Sequence, residues 1–526
     1  MGWVCVRVVL PREKGGSAVP NGFLRAPIFT GPPVCRLATP EPHHDSGAGP
    51  RLRPGERGTR GGAGNAFPAS LAGGVAQAAL LCLALLPAAA DLLTLPAQAQ
   101  DIELGEVTVA ADRPLLMTAY TSVTVVEVRD RDPGETLADV LDEVPGVQVL
   151  RSGGEGQRQS VSIRGADSKQ VAVLIEGFSL ADPQGGSVDL SQIPLAAVDR
   201  IEVYRGPRGA LAGASSLGGV VVIRLKTGAE AAEKVSTVGG SFGTWKGGMS
   251  AAAGGTLVTY SHEQSEGDFP YVDTNGHDRT RENNRSVTDR VLLNADLALS
   301  SRSHLELLGS AALTDRGGPG LEQFPTLEAR ETAHNWLAGT RFRLDRFPCR
   351  DCDLQASASY SAWQWTFADP APYMPPPVDT QSLSQRVGLA AGTVLRASAW
   401  LSFAVQAEAA EEWMDIRRFQ AGQAEHDRWS ADGTLAATLT PGHLPFAADV
   451  RVRIASSGPF GAEVVPGLDV RWNAADHLAV SVSANRAYRI PTFDELYFEG
   501  SGIRGNEDLS PGALRGEILV AADSTP

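Results

Sequence analysis

From Glu230 onward the chain is built from segments of about ten residues in which apolar and polar side chains alternate. Arg290-Val-Leu-Leu-Asn-Ala-Asp-Leu-Ala-Leu299, His304-Leu-Glu-Leu-Leu308, Leu354-Gln-Ala-Ser-Ala-Ser-Tyr360 and His477-Leu-Ala-Val-Ser-Val-Ser-Ala484 are examples. A strand turns successive side chains to opposite faces, so each segment asks for two environments at once. The connections alternate as well. Ser300-Ser-Arg-Ser303 is a tight turn, whereas residues 263–286 and 367–381 form long polar or Pro-rich loops. Short turns at one end, long loops at the other, one apolar face and one polar face together specify a transmembrane barrel with its long loops outside the cell. A soluble β-sandwich has no need of such asymmetry. Trp336, Trp363, Trp365, Trp400, Trp413 and Trp429 fall near segment ends, where an aromatic girdle is expected, although strand-core packing would use them too.

Composition narrows the partners. A formal net charge of −15 over 526 residues, with a pI near 5.2, argues against nucleic acid, which needs clustered Lys and Arg. The nine His are scattered, apart from His43-His44, so no metal site follows. Cys349 and Cys352 stand alone as a C-x-x-C pair in Phe347-Pro-Cys-Arg-Asp-Cys-Asp353. Without a second pair or a βαβ setting, a hairpin turn is a better reading than redox chemistry, and whether the two cysteines form a local disulfide is left open by the sequence. By the loop rule this turn faces the periplasm.

The one long apolar run, Ala76 to Leu86, is interrupted by Pro87 and Asp91 before it reaches the ~20 residues of a membrane helix. Ala97-Gln98-Ala99 then supplies the small-x-small pattern of a signal-peptidase site. Residues 76–99 are therefore expected to be a signal peptide, with the mature chain starting near Gln100. Residues 1–75, rich in Pro, Gly and Arg and without periodicity, read as a mis-assigned or disordered N-terminal extension.

Between these regions lies a different kind of sequence. Val161 to Arg164 and Val171 to Glu176 are short apolar runs each closed by Gly, and Arg200 to Arg205 alternates like a half-buried strand. Asp132-Pro-Gly-Glu135 followed by Leu137, Val140 and Leu141 predicts a capped amphipathic helix with Pro133 in its first turn, ended by Pro145-Gly146. Strands interleaved with short helices in roughly a hundred residues imply a small α/β unit with its own core.

The ordered series Ser160-Val-Ser-Ile-Arg-Gly165, Val171-Ala-Val-Leu-Ile-Glu-Gly177, Asp189-Leu-Ser-Gln-Ile-Pro194, Arg200-Ile-Glu-Val-Tyr-Arg-Gly-Pro207 and Gly218-Gly-Val-Val-Val-Ile223 resembles the plug of TonB-dependent outer-membrane receptors, most of all that of cobalamin receptors. A second resemblance comes late, in Ala487-Tyr-Arg-Ile-Pro-Thr-Phe-Asp-Glu-Leu-Tyr497 with Asp508-Leu-Ser-Pro511, where Gly512 stands in place of the Glu usual in the family. The expected architecture is a small α/β plug domain (116–228) followed by an antiparallel transmembrane β-barrel (229–526). The barrel is expected to be incomplete, with about thirteen candidate strands against the 22 of plugged outer-membrane transporters. The C-terminal Ala521-Ala-Asp-Ser-Thr-Pro526 lacks the family's terminal aromatic, so a truncated frame, with an inactive product as one consequence, is part of this expectation.

The resemblance also implies a mechanism. Residues 100–115 hold Glu103-Leu-Gly-Glu-Val-Thr-Val-Ala110, in which Glu106, Val107, Thr108 and Val109 are similar to a TonB box. An extended, alternating, Pro-free segment can add as a strand to a partner's edge. TonB, with its inner-membrane energising complex, would pull there. Two plug loops are expected to face substrate: Arg151, Ser152, Glu155, Gln157, Arg158 and Gln159 on one, and Asp182, Gln184 and Ser187 on the other. Arg164, Glu176 and Arg205 are expected to seat the plug by pairing with lumen charges. The implied function is energised uptake of a scarce metal-bearing ligand across the outer membrane, with cobalamin favoured over a ferric siderophore. Ser152, Gln157, Gln159 and Gln184 suit the neutral amides of cobalamin, and Arg151 with Arg158 keeps a siderophore in view. Only a few residues separate Gln100 from Glu103, leaving no room for the extra periplasmic domain of a signal-transducing receptor. No nucleophile, base and orienting acid can be assembled for an enzyme, no phosphate loop occurs, and no cofactor is expected.

Overall fold

The computed structural model describes residues 123–523, apart from 129–130, 208–215, 229–232, 373–376, 419–421, 443, 476–477 and 501–502. The expected N-terminal extension, the signal peptide, and Glu106, Val107, Thr108 and Val109 lie outside the described residues.

The first unit is built on a five-stranded sheet. Its strands are β1 (Val123–Glu127), β4 (Val171–Ile175), β5 (Phe178–Ser179), β6 (Val198–Arg205) and β7 (Gly219–Leu225), in the order β1-β6-β7-β4-β5. The β4–β7 pair is parallel and the rest are antiparallel. A separate ladder joins β2 (Val147–Arg151) to β3 (Gln159–Ile163). The continuous apolar runs of β4 and β7 follow from burial on both faces. One face, with Val173, Ile175, Ile201, Val203, Val221 and Ile223, is covered by α1 (Leu137–Asp142) and by Leu292, Leu308 and Leu337 of the large sheet. The other face, with Ala172, Leu174, Tyr204, Val220 and Val222, meets Ala404 and Ala436.

Helix α1 begins later than the sequence suggested. Pro133 falls in a preceding turn closed by Glu135 N–H on the Asp132 carbonyl, 3.0 Å away. Thr136 is the N-cap: its hydroxyl accepts from Asp139 N–H while the Asp139 carboxylate accepts from Thr136 N–H, satisfying two donors the helix leaves open. Glu176 and Gly177 form the two-residue β4–β5 turn with φ of 47° and 85°. Positive φ at both central positions matches the twist of the paired strands.

Among the described residues the second unit is one antiparallel sheet of fourteen strands, one more than the expected count. It opens with β8 (Lys234–Gly239), β9 (Trp245–Ala253) and β10 (Thr256–Ser265). A loop hairpin, β11 (Pro270–Val272) and β12 (Asp278–Thr280), precedes β13 (Ser286–Ser300) and β14 (Ser303–Gly317). A second hairpin, β15 (Gly320–Leu321) and β16 (Phe324–Pro325), leads to β17 (Arg330–Asp345), β18 (Cys352–Asp369), β19 (Val378–Ser398), β20 (Leu401–Arg418), β21 (Gly422–Leu439), β22 (Phe446–Ser457), β23 (Gly461–Ala475) and β24 (Leu478–Arg489). After α2 (Phe493–Tyr497) and the hairpin β25 (Glu499–Gly500) and β26 (Ile503–Arg504), β27 (Gly512–Asp523) pairs with β24. Among the described residues no ladder joins β8 to β27, so the sheet is open.

Turns and faces follow the alternation. Gly254-Gly255, Ser301-Arg302 and Ala399-Trp400 are two-residue turns at one end, while 266–285 and 318–329 are long loops at the other, where the three-residue connection Gly458–Phe460 also lies. Cys349 and Cys352 sit in a turn on the short-turn side, as expected, and the structure joins them in a disulfide. Leu435 and Ile454 are 61 % and 55 % exposed on the outward face, while their neighbours Asp432, Arg451 and Arg453 are turned inward and shielded. The girdle reading needs correction at two positions. Trp400 and Trp429 are outward and exposed, but Trp363 and Trp365 line an inner cavity.

Candidate functional site

The plug is bonded to one side of the wall. Lys246 donates to the Gly134 carbonyl (3.0 Å) and pairs with the Glu155 carboxylate, and Ser286 Oγ donates to the Glu155 carbonyl at 2.9 Å. Arg290, itself paired with Glu263, donates to the Ser191 carbonyl at 2.6 Å, and Asn294 donates to the Lys226 carbonyl at 3.1 Å. Arg316 reaches the Gly156 carbonyl, the Asp189 carboxylate and Ser191 Oγ at 2.9, 2.6 and 2.8 Å. Arg341 donates to the Glu176 carbonyl and lies 5.0 Å from the Phe178 ring centroid. All these donors come from β9 to β17. Toward β19–β21 the plug meets Ala404 and Ala436 by apolar contact and borders a cavity of about 260 Å³. The cavity's wall carries its own ion pairs, Arg386 and Arg428 on Glu412, and Arg453 on Glu408 and Asp432.

The late motif has a physical reading of its own. Pro491 leads into α2, where Thr492 caps and Glu495 returns the bond, with Arg489 paired to Glu495 at 2.6 Å. Phe493 is buried under the Arg428 guanidinium (4.6 Å), and Tyr497 stacks on His426. The helix start docks on the plug. Phe493 N–H and Asp494 N–H donate to the Pro183 and Gln184 carbonyls at 3.2 and 3.0 Å, and the Gln184 amide donates to the Asp494 carboxylate at 3.2 Å. Lys169 stands 3.7 Å from Glu495. Gly186 has φ +77°, and a Cβ there would lie 2.6 Å from Thr492.

A second cavity, of about 420 Å³, opens between this docked turn and the long-loop ends of the wall. Four of the sequence-selected loop residues line it: Arg158, Asp182, Gln184 and Ser187. Asp182 is surrounded by protein on most sides, and that burial, with the Asp494 carboxylate nearby, pushes it up to about 6 against the pull of the Gln184 N–H. Asp189 is equally enclosed, but Arg316 and Arg158 outweigh burial and hold it below the ordinary value.

The other selected residues are engaged elsewhere. Arg151 ties β2 to α1 through Asp139 and Asp142, at 2.9 and 2.7 Å. Ser152 N–H closes its loop on the Arg158 carbonyl. Glu155 and Gln157 face the wall, on Lys246 and the Asn284 carbonyl. Gln159 is buried beside Leu190 and Arg290, lining a separate space next to α1.

Two of the seating residues, Arg205 and Glu176, place their side chains differently from expectation. Arg205 donates to the Pro145 carbonyl and Thr124 Oγ1, and the Glu176 carboxylate accepts from Leu225 N–H and Arg224, all within the plug. Arg164, at φ 54°, sits in the turn after β3 with its N–H on the Gly146 carbonyl. Strand charges so close to their own loops find partners there first. Wall charges instead bond the plug's loop carbonyls and the carboxylates of Glu155 and Asp189. The wall partners Lys246, Arg290, Arg316 and Arg341 carry a single sequence signal, a charge on the lumen side of an alternating strand.

Comparison with known proteins agrees with this architecture. Residues 116–220 match the TonB-dependent Receptor Plug Domain, and residues 237–512 match the family described as TonB dependent receptor-like, beta-barrel. Over 183 residues, 33% of the chain, the sequence is 38% identical to the vitamin B12 transporter BtuB of Photobacterium profundum, of which that stretch covers 29%. Among solved structures it is similar in fold to the copper transporter OprC, with a TM-score of 0.60 at 16% identity over 75% of this chain and 68% of that one. The siderophore receptor PirA from Acinetobacter baumannii is also similar, with a TM-score of 0.58 at 14% identity over 77% of this chain and 76% of that one. With a plug match followed by a barrel match over more than half its length, the chain belongs to the TonB-dependent receptors, a family of outer-membrane transport proteins.

Proposed function

We propose that this chain serves energised uptake of a scarce metal-bearing ligand, with cobalamin favoured. The observation that carries the reading is the cavity of about 420 Å³ where the plug turn Asp182–Ser187, the docked α2 and the aromatic long-loop end of the wall converge. A ligand held there touches plug and wall at once, as a receptor must if a pull on the plug is to release it. Ser187 and the Gly185 backbone offer neutral donors and acceptors suited to the many amides of cobalamin. The 183-residue likeness to a vitamin B12 transporter supports the same choice. Equilibrium dialysis of cyanocobalamin against the detergent-refolded chain tests it, and no saturable binding would reject cobalamin.

The ferric siderophore remains the second reading, favoured by the Arg158 guanidinium at the cavity rim. For coupling, Glu106 to Val109 is the proposed segment on which TonB adds a strand. Replacing Val107 by Pro removes one backbone donor from it. Pull-down with the TonB C-terminal domain is expected to weaken while ligand binding stays unchanged.

A further inference from the structure

The cavity of about 260 Å³ runs between the plug and β18–β21, toward the short-turn end. Its outer level is the rung Ser361, Arg386, Glu412 and Arg428, and its inner level is the rung Gln355, Gly392 and Gln406. Six residues separate the two levels along β18, about 20 Å of strand. Small side chains at Ser357, Ser359, Ala390 and Ala410 keep the space between them open. One inward position beyond Gln406 the plug closes it, where Leu174 and Val222 pack in one cluster with Ala404 and Ala436. At the outer end α2 closes it, on the Pro183 and Gln184 carbonyls.

The bonds between plug and wall are unevenly shared. Arg290, Arg316, Asn335 and Arg341 of β13–β17 all donate to plug groups. Among the described residues no hydrogen bond or ion pair joins the plug to β18, β19, β20 or β21. One polar approach there, Ser384 of β19 to the Asp182 carboxylate, leaves the hydroxyl without a bonded partner. The charges around the cavity are satisfied within the wall, three arginines against three carboxylates: Arg386 and Arg428 on Glu412, and Arg453 on Glu408 and Asp432. Moving the plug off β9–β17 therefore leaves Arg316 and Asp189 unpaired and shielded from water, whereas moving it off β18–β21 separates apolar contacts alone. Helix α2 stays with the wall in such a movement, because Arg428 holds the Pro491 carbonyl at 2.6 Å and covers Phe493.

We propose that the plug parts from the wall along β18–β21 with β9–β17 as its hinge, and that the widened cavity is the route of a polar ligand past the plug. This rests on the receptor reading above and goes beyond it, since it assigns the side of the wall along which the ligand leaves. Gln355, Ser357, Ser359 and Gln406 offer neutral hydrogen-bonding groups along that side. The self-paired arginines and carboxylates present no net charge to hold the ligand back.

The order of opening is measured with single cysteines in the detergent-refolded full chain carrying Cys5→Ser, Cys35→Ser and Cys82→Ser, with the Cys349–Cys352 disulfide left closed. Ala404→Cys and Ala436→Cys report the cavity side, and Thr288→Cys and Leu308→Cys report the seat; all four positions are shielded in the native chain. In urea below global unfolding, fluorescein maleimide is expected to modify the first pair about tenfold faster than the second. Leu308→Cys removes volume from the seat, so its bias runs against that order. Faster reaction at the seat, or reaction at all four positions only with global unfolding, overturns the proposal. Cyanocobalamin dialysis on the parent is independent of this result. A chain that binds cyanocobalamin but opens at the seat loses the route and keeps the receptor reading, and one that opens on the cavity side without binding keeps the hinge and loses cobalamin.

Discussion

Arg316 of the wall donates to the Asp189 carboxylate of the plug at 2.6 Å, and both side chains are almost wholly shielded from water. The same guanidinium also holds Ser191 Oγ and the Gly156 carbonyl, so one side chain clamps two plug loops. Similar bonds from Lys246, Arg290 and Arg341 make the β9–β17 side the seat of the plug.

Removing that clamp should be expensive. Arg316→Met strands a buried carboxylate, for which losses of about 3–5 kcal/mol are typical. Urea unfolding in detergent, read by hydrogen exchange of β3 and residues 189–193, is expected to show early release of the plug. Adding Asp189→Asn should recover part of the loss, because the buried charge is then gone while a side-chain oxygen remains to accept from Gln159 N–H and Ser191 N–H.

Gly156 is held at φ +73°, and a Cβ there would fall 2.2 Å from Ser286 Oγ. Gly156→Ala is therefore expected to cost about 1–3 kcal/mol through strain and clash together. Ser286→Gly in the same chain should restore part of the stability, since it relieves the clash and leaves the backbone strain. Equal stability of Gly156→Ala and the parent would contradict the close plug–wall approach.

Asp182 gives the docked turn a pH dependence. Its folded value, about 6, lies above the unfolded one, so the native state binds more protons between the two. Stability from this group is thus greatest below the unfolded value and declines as pH rises through about 6. Asp494, raised mainly by burial, acts in the same direction. Thermal unfolding at about pH 5 and about pH 7 should show the more acidic sample melting higher, with the difference reduced in Asp182→Asn.

Phe493 anchors α2 with 1 % of its surface exposed. Phe493→Ala removes that anchor and the contact with Arg428, a change of the kind that costs about 3–5 kcal/mol in a packed site. Limited proteolysis is expected to open residues 490–511 while the strands of the sheet stay resistant. Resistance unchanged from the parent would mean that the loop is held by other contacts.

The sequence by itself determined the two-unit plan, because alternation with a period of two forces one face outward and one inward whatever lies beyond each segment. Arg290 to Leu299 and Leu354 to Tyr360 became strands in the expected alternation, and the longest loops fell at the end opposite the two-residue turns. Plug strands such as Val171 to Ile175 were legible from their apolar runs, and the Glu176-Gly177 turn from its glycine. Partner choice was decided only by the tertiary structure. Glu176 and Arg205 turned back into the plug, while Asp189 and the carbonyls of Gly156 and Ser191 were taken by wall arginines far away in sequence. Local pattern fixes which face a charge occupies. Which opposite charge it meets depends on how the plug is rotated against the wall, and that rotation is set by the sum of contacts such as Leu292, Leu308 and Leu337 on its core, none of which any single segment encodes.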